Sequence, residues 1–224
     1  MKNESNDPTT LTAPPPARPR LLGLALAIGL LVMLALLTAL AMRSLRSGVS
    51  DRPLPAVADV PEFSLVERSD RAVTKADLLG KVWLADFVFT SCAGPCPEMT
   101  LRMKSLQRSL EGAGDDVKLV SFSIDPEFDT PAVLRRYADR YGADPQRWWF
   151  LTGPSRDEMH ALVKEGFLQA VTQTGDSVRY VHSTRFVLVD RKGRIRAWYD
   201  GLEAESKPQI LHDIQRLLSE PPEP

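Results

Sequence analysis

Two cysteines stand at i and i+4 in the run Phe87-Val-Phe-Thr-Ser-Cys92-Ala-Gly-Pro-Cys96-Pro97-Glu, and they are the only two in 224 residues. Thiols this close can join as a disulfide, exchange with another disulfide, or hold a soft metal ion together. A purely structural bridge is the weakest of these uses, because closing so short a loop restrains little of the unfolded chain. The pair therefore reads as a redox or soft-metal site, able to pass among dithiol, disulfide and metal-bound forms.

The prolines shape the site. Pro97 biases Cys96 towards an extended conformation and itself suits the first position of a helix. Cys96 is thus expected as the N-cap, with Cys92 in the loop before it and Gly94 supplying the freedom to turn both sulfurs to one point. A thiol at a helix N-terminus feels the positive end of the macrodipole, which favours thiolate. Glu98, one turn in, opposes this.

Redox and metal chemistry need different third groups. Copper in the +1 state prefers thiolate, and an imidazole completes a trigonal site. Of the three histidines, His160 and His212 fall inside expected helices among apolar neighbours and read as ordinary packing or surface residues. His182 differs, because it precedes the apolar run Ser183-Thr-Arg-Phe-Val-Leu-Val at a loop-to-strand junction. In a thioredoxin-like sheet that junction faces the helix N-terminus bearing the thiols. A thioredoxin-type oxidoreductase usually carries a cis-proline there, whereas the nearest upstream proline is Pro154. Both observations point to metal.

Other polar groups are weaker candidates. Asp125 and Asp129 flank a strand-to-helix turn at the carboxyl ends of parallel strands, where sites in such sheets gather. Asp129 or Thr130 is a natural N-cap ahead of Pro131, while Asp125 suits a supporting or partner-recognition carboxylate. Met99 and Met103 share one helical face and offer thioethers, but methionines at that spacing more often fill a core.

The elements that must position these groups alternate along the chain. Phe63 to Glu67 and Arg71 to Thr74 form an expected hairpin. Lys81 to Phe89 and Val117 to Ile124 read as buried strands of a largely parallel sheet, with a helix over Pro97 to Leu110 between them. Further helices are expected at Pro131 to Tyr141 and Ser155 to Glu165, about a short strand at Trp148 to Leu151. Ser183 to Asp190 and Arg194 to Tyr199, joined by the turn at Arg191-Lys-Gly193, make an antiparallel pair before a helix over Lys207 to Ser219. A βαβαβ half followed by ββα is the order of an α/β, thioredoxin-like fold with an N-terminal hairpin.

The N-terminal fifth is of another kind. Leu21 to Met42 is an apolar run whose only polar side chain is Thr38, long enough to cross the roughly 30 Å hydrocarbon layer as one helix. Its length exceeds that of a signal-peptide core, which favours a retained anchor over a cleaved leader. The organisation expected is a disordered cytoplasmic tail over 1–20, a transmembrane helix over 21–42, a linker over 43–60 and one domain over 61–220. Acidic Glu4 and Asp7 argue against a mitochondrial presequence and for a bacterial protein. Arginines balance across the span, so the thiols alone suggest an extracytoplasmic domain. With 43% apolar residues, 25% charged and a net charge of −1, nothing suggests nucleic-acid binding.

Set together, Pro61-Glu-Phe63, Leu78-Leu-Gly-Lys-Val82, Phe87-Val-Phe-Thr-Ser-Cys92, Cys96-Pro97, Ser123-Ile-Asp-Pro-Glu-Phe-Asp-Thr-Pro131, Phe150-Leu-Thr-Gly153 and His182-Ser-Thr make a specific pattern. The chain resembles the SCO/SenC family of copper-binding, thioredoxin-like assembly proteins for cytochrome c oxidase. The resemblance implies Cu(I), and in some states Cu(II), held by Cys92, Cys96 and His182. It also implies a metallochaperone of the bacterial inner membrane, single-pass, with its domain in the periplasm, delivering copper to the CuA site of the oxidase's copper-bearing subunit. Other copper chaperones or thiol reductants are implied partners. The alternative is a thiol-disulfide oxidoreductase using Cys92 and Cys96 to keep the oxidase cysteines reduced. One departure stands out: Ala93-Gly94-Pro95 occupies a loop where the family has proline directly after the first cysteine.

Overall fold

The computed structural model describes residues 19–46, 54–174 and 179–221, with 19–22, 42–46, 172–174 and 179–182 described by their backbone. Most of the expected tail, at 1–18, lies outside the described residues. So does 47–53, the middle of the expected linker.

The apolar run forms one helix, α1 (Pro19–Arg46). Its side chains from Gly23 to Ala41 are exposed, and that stretch of 19 residues is long and apolar enough to cross a membrane.

The larger unit begins earlier than residue 61. Leu54 and Val60 are buried, and between them β1 (Ala58–Asp59) pairs with a later strand. The chain continues through β2 (Ser64–Glu67), β3 (Ala72–Thr74), β4 (Val82–Val88), α2 (Cys96–Ser109), β5 (Val117–Ser123), α3 (Pro131–Tyr141) and β6 (Trp148–Thr152). It then forms α4 (Arg156–Ala161), a π-helical turn at Leu162–Gly166, β7 (Val171–Thr174), β8 (Arg179–His182), β9 (Arg185–Val189), β10 (Arg194–Asp200) and α5 (Ser206–Ser219). The expected hairpin and the expected thioredoxin order are both present.

One sheet runs β1-β10-β9-β4-β5-β6-β2-β3. β4 pairs in parallel with β5 from Val82 opposite Val117 to Val88 opposite Ser123. Every residue of both strands is buried, as a sheet covered on both faces requires. One face packs on α2, α3 and α5 through Met99, Leu106, Leu134, Ile210 and Ile214. The other carries Trp83, Phe87 and Phe122 against Met159, Val163 and Phe167. β9 is antiparallel to β4, with Val187 opposite Ala85.

Three local differences have plain causes. The expected helix from Ser155 to Glu165 is α-helical only to Ala161 and then widens into the π turn, capped by Ser155 accepting from Glu158 N–H. β7 and β8 form a separate two-stranded sheet that was not expected, since both strands are four residues long and largely polar. α3 starts at Pro131 as expected, but its cap is Thr130 alone, and it ends at Gly142 in the left-handed region (φ 64°).

The sheet has two distinct ends. Leu54 is held at the end where β4 begins, its carbonyl accepting from Arg196 Nε at 2.7 Å. The thiols follow the end where β4 finishes.

Candidate thiol and metal centre

β4 leads straight into the cysteine loop. Cys92 N–H returns to the carbonyl of Phe89 at 3.1 Å, making a tight turn over Thr90 and Ser91. Met99 N–H bonds Pro95 O at 3.0 Å, so the helical bonding starts at Pro95, which has helical φ/ψ (−74°, −22°). Cys96 is therefore the first helical residue and Pro95 its cap, against the expectation that Cys96 would cap. The pre-proline preference of Cys96 yields to a chain already coiled by Pro95.

The two sulfurs differ in exposure. Cys92 is half-buried and Cys96 fully buried, and both are thiols. Burial pushes the Cys96 thiol far above its ordinary range, and its hydrogen bond with Cys92 adds to this. Desolvation thus outweighs the helix dipole at this position. Gly94 N–H donates to Cys92 Sγ at 3.3 Å, tying the outer sulfur to its own loop. Glu98, expected to repel a thiolate, is paired with Arg102 at 2.8 Å. Cys92 is the more accessible of the two sulfurs, and burial favours the protonated form of Cys96.

The backbone of His182 ends β8 and pairs with Val171 in β7. Ser183 N–H bonds Ala170 O at 2.9 Å. Because Val187 opposes Ala85, the chain preceding Arg185 runs beyond the end of β4 from which the cysteine loop departs. His182 is thereby carried towards the thiol end of the sheet; its side chain lies outside the described residues. Gly201 holds the following bend: its N–H bonds Thr184 O at 2.7 Å, and a Cβ there would meet that oxygen at 2.5 Å.

Asp129 does not cap α3. It is fully buried and accepts from Thr90 N–H at 3.0 Å, from Thr90 Oγ1, and from Ser123 Oγ at 2.7 Å. Burial raises its carboxyl above the usual range, opposed by those donors. Asp125 pairs with Arg156 at 3.2 Å, and Arg156 also grips Glu127. His160, one turn after Arg156, sets Nε2 3.0 Å from Ile124 O, and burial lowers its pKa. Its role is packing against the β5 end, as the sequence suggested.

Met99 and Met103 are fully buried with Leu106 and Phe186, in a different core cluster from Cys96. Sequence reasoning overlooked Asp86. This acid in the middle of β4 is fully buried, takes one hydrogen bond from Ser121 and contributes to the raised Cys96 pKa. Its signal was an aspartate inside the otherwise apolar run Lys81 to Phe89.

A half-exposed thiol over a buried one, at a helix N-terminus on this sheet, defines a thioredoxin-like dithiol protein. The chain belongs to the SCO1/SenC family, whose model matches residues 53–219. The SCO1 protein homolog of Bacillus subtilis is 34% identical over 161 residues, covering 72% of this chain and 83% of that one. A protein of Stutzerimonas stutzeri named for copper binding is 29% identical, over 74% of this chain and 78% of its own length. The structure of BsSco, a member of the Sco family of cytochrome c oxidase assembly proteins with an identified disulfide switch, matches at 33% identity and a TM-score of 0.66. It covers 75% of this chain and 96% of that one.

Proposed function

We propose that this protein is a membrane-anchored copper chaperone. It takes Cu(I) on Cys92, Cys96 and His182 and passes the ion to the CuA site of a cytochrome c oxidase subunit. The observation that carries the reading is the unequal thiol pair, with Cys92 half-exposed and Cys96 buried beside it. Two soft donors within hydrogen-bonding reach suit a soft ion, and an accessible outer sulfur suits hand-over by ligand exchange. His182 supplies the third donor, its backbone running towards the same end of the sheet. The named copper-binding relative and the oxidase-assembly relative support cargo and destination. Helix α1 serves as the anchor, in a bacterial inner membrane with the domain in the periplasm.

The test compares Cu(I) affinity and oxidase assembly in His182→Ala, Cys92→Ser and Cys96→Ser. All three variants are expected to fail. Parental copper binding and assembly in His182→Ala, with both cysteine variants dead, would overturn the three-ligand site.

A second reading is favoured by the thiol–thiol hydrogen bond and by the disulfide switch of BsSco. Here Cys92 thiolate attacks a disulfide in the oxidase subunit, and Cys96 then displaces the mixed disulfide, so that two protons and two electrons leave this protein and the partner gains two thiols. This activity is independent of His182.

A further inference from the structure

The cysteine loop is anchored at two places of different kinds. On the helix side, Thr100 Oγ1 donates to Cys96 O at 2.8 Å and lies 2.7 Å from the hydroxyl of Tyr137 in α3. This fixes the first turn of α2. On the strand side, the anchor is Asp129. Its carboxylate binds both the N–H and the hydroxyl of Thr90, two residues before Cys92. Ser123, the last residue of β5, supplies the third donor.

Asp129 is not needed for the duty its sequence position suggested. Thr130 caps α3 by accepting from Val133 N–H, and Asp129 N–H is satisfied by Asp125 O at 2.8 Å. A fully buried carboxylate is a costly way to fill space. What it does that an apolar residue cannot is receive three donors at once, two of them from one residue of the cysteine loop. Only the five residues Ser91 to Pro95 then separate the two pinned ends, Thr90 and Cys96.

We propose that Asp129 is the positioning residue of the thiol site: through Thr90 it holds Cys92 over Cys96, so that the two sulfurs meet a metal or each other without first ordering the loop. This rests on the reading of the pair as a copper and redox site. Loosening the pin lowers the effective concentration of one thiol at the other, which weakens chelation and disulfide formation together.

The test uses the full-length protein in detergent micelles, with Thr90→Val, Thr90→Ser and Asp129→Asn. Two constants are read: Cu(I) affinity by competition with a chromophoric chelator, and the equilibrium of the dithiol with glutathione disulfide. In the latter, two thiol protons and two electrons pass to form two glutathione thiols as the Cys92–Cys96 bond closes. Thr90→Val and Asp129→Asn are each expected to lower both constants by about tenfold. Thr90→Ser, which keeps the hydroxyl donor, should retain parental values, and the Thr90→Val/Asp129→Asn pair should be no worse than either single change.

Parental values of both constants in folded Thr90→Val overturn the proposal while leaving the copper reading intact. Should Asp129→Asn fail to fold, the two Thr90 variants decide, since both leave the carboxylate in place. Should the parent bind no Cu(I), the copper reading falls, and the glutathione equilibrium alone decides the role of Asp129.

Discussion

Asp86 stands opposite Ser121 in the parallel pairing of β4 with β5, and its Oδ1 accepts the Ser121 hydroxyl at 2.5 Å while Oδ2 has no partner among the described residues. Ser121 Oγ in turn receives the indole N–H of Trp148 at 2.9 Å. Burial pushes the Asp86 carboxyl up to about 7 from 3.8, with the Ser121 bond opposing. The fold thus favours the protonated acid. Its stabilising contribution is complete below about pH 4 and is lost as pH rises through 7. That rise corresponds to about 4 kcal/mol across the window. Asp86→Asn should remove this dependence, giving a protein more stable than the parent at pH 8 and little different at pH 4. Denaturant titrations at both pH values check it; parallel stability curves for the two proteins would sink the idea.

The unequal burial of the thiols predicts unequal chemistry. Iodoacetamide at pH 7 should modify Cys92 and leave Cys96 untouched in the native protein, because the Cys96 thiol is enclosed and its pKa raised. Peptide mass mapping after a short pulse reads this directly. Cys92→Ser should be inert to the reagent until unfolded.

At Gly201 the constraint is backbone against backbone. A methyl group there would meet Thr184 O at 2.5 Å and Met99 Cε at 3.1 Å, and the carbonyl cannot swing away without breaking its bond to Gly201 N–H. Gly201→Ala should cost about 1 to 3 kcal/mol. Because Thr184 lies two residues after His182, Cu(I) affinity should fall as well. Thermal unfolding and copper competition on the same sample measure the two effects.

Arg196 provides a contrast at the other end of the sheet. Its guanidinium binds Leu54 O at 2.7 Å, Asp190 Oδ2 at 3.0 Å and Glu220 at 2.7 and 2.8 Å, joining the incoming chain, the β9–β10 turn and the end of α5. Removing Arg196 leaves the Leu54 carbonyl without this donor and takes one partner from buried Asp190, which keeps Arg194, while Glu220 faces solvent. Arg196→Ala should destabilise the domain by about 3 kcal/mol yet leave Cu(I) affinity within about twofold, since Leu54 and Cys92 lie at opposite ends of β4. Loss of copper binding in a folded Arg196→Ala protein would contradict that separation.

Much of the scaffold was legible because its signals are local. The apolar, β-branched runs of β4 and β5, Pro131 at a helix start, Gly142 at its end and the short turn before Arg194 each act within a few residues. The thiol pair and the family resemblance were legible for the same reason. What escaped depends on register. Asp129 looked like a helix cap until Val88 was placed beside Ser123, which brings Thr90 within reach of a residue 39 positions away. Gly201 carries no local signal in the sequence, because its constraint comes from the Thr184 carbonyl set against it. β7 and β8 have too few apolar residues to announce a strand, and their pairing sets the backbone of His182 opposite Val171.

The fastening of the chain at Leu54 lies far from the thiols. β4, at seven residues, is a strut of roughly 20 Å with Leu54 held near one tip and the cysteine loop leaving from the other. Arg196 holds Leu54 at the far tip of the strut from the cysteine loop. Inserting or removing residues ahead of Leu54 should therefore leave Cu(I) affinity and the thiol equilibrium at parental values.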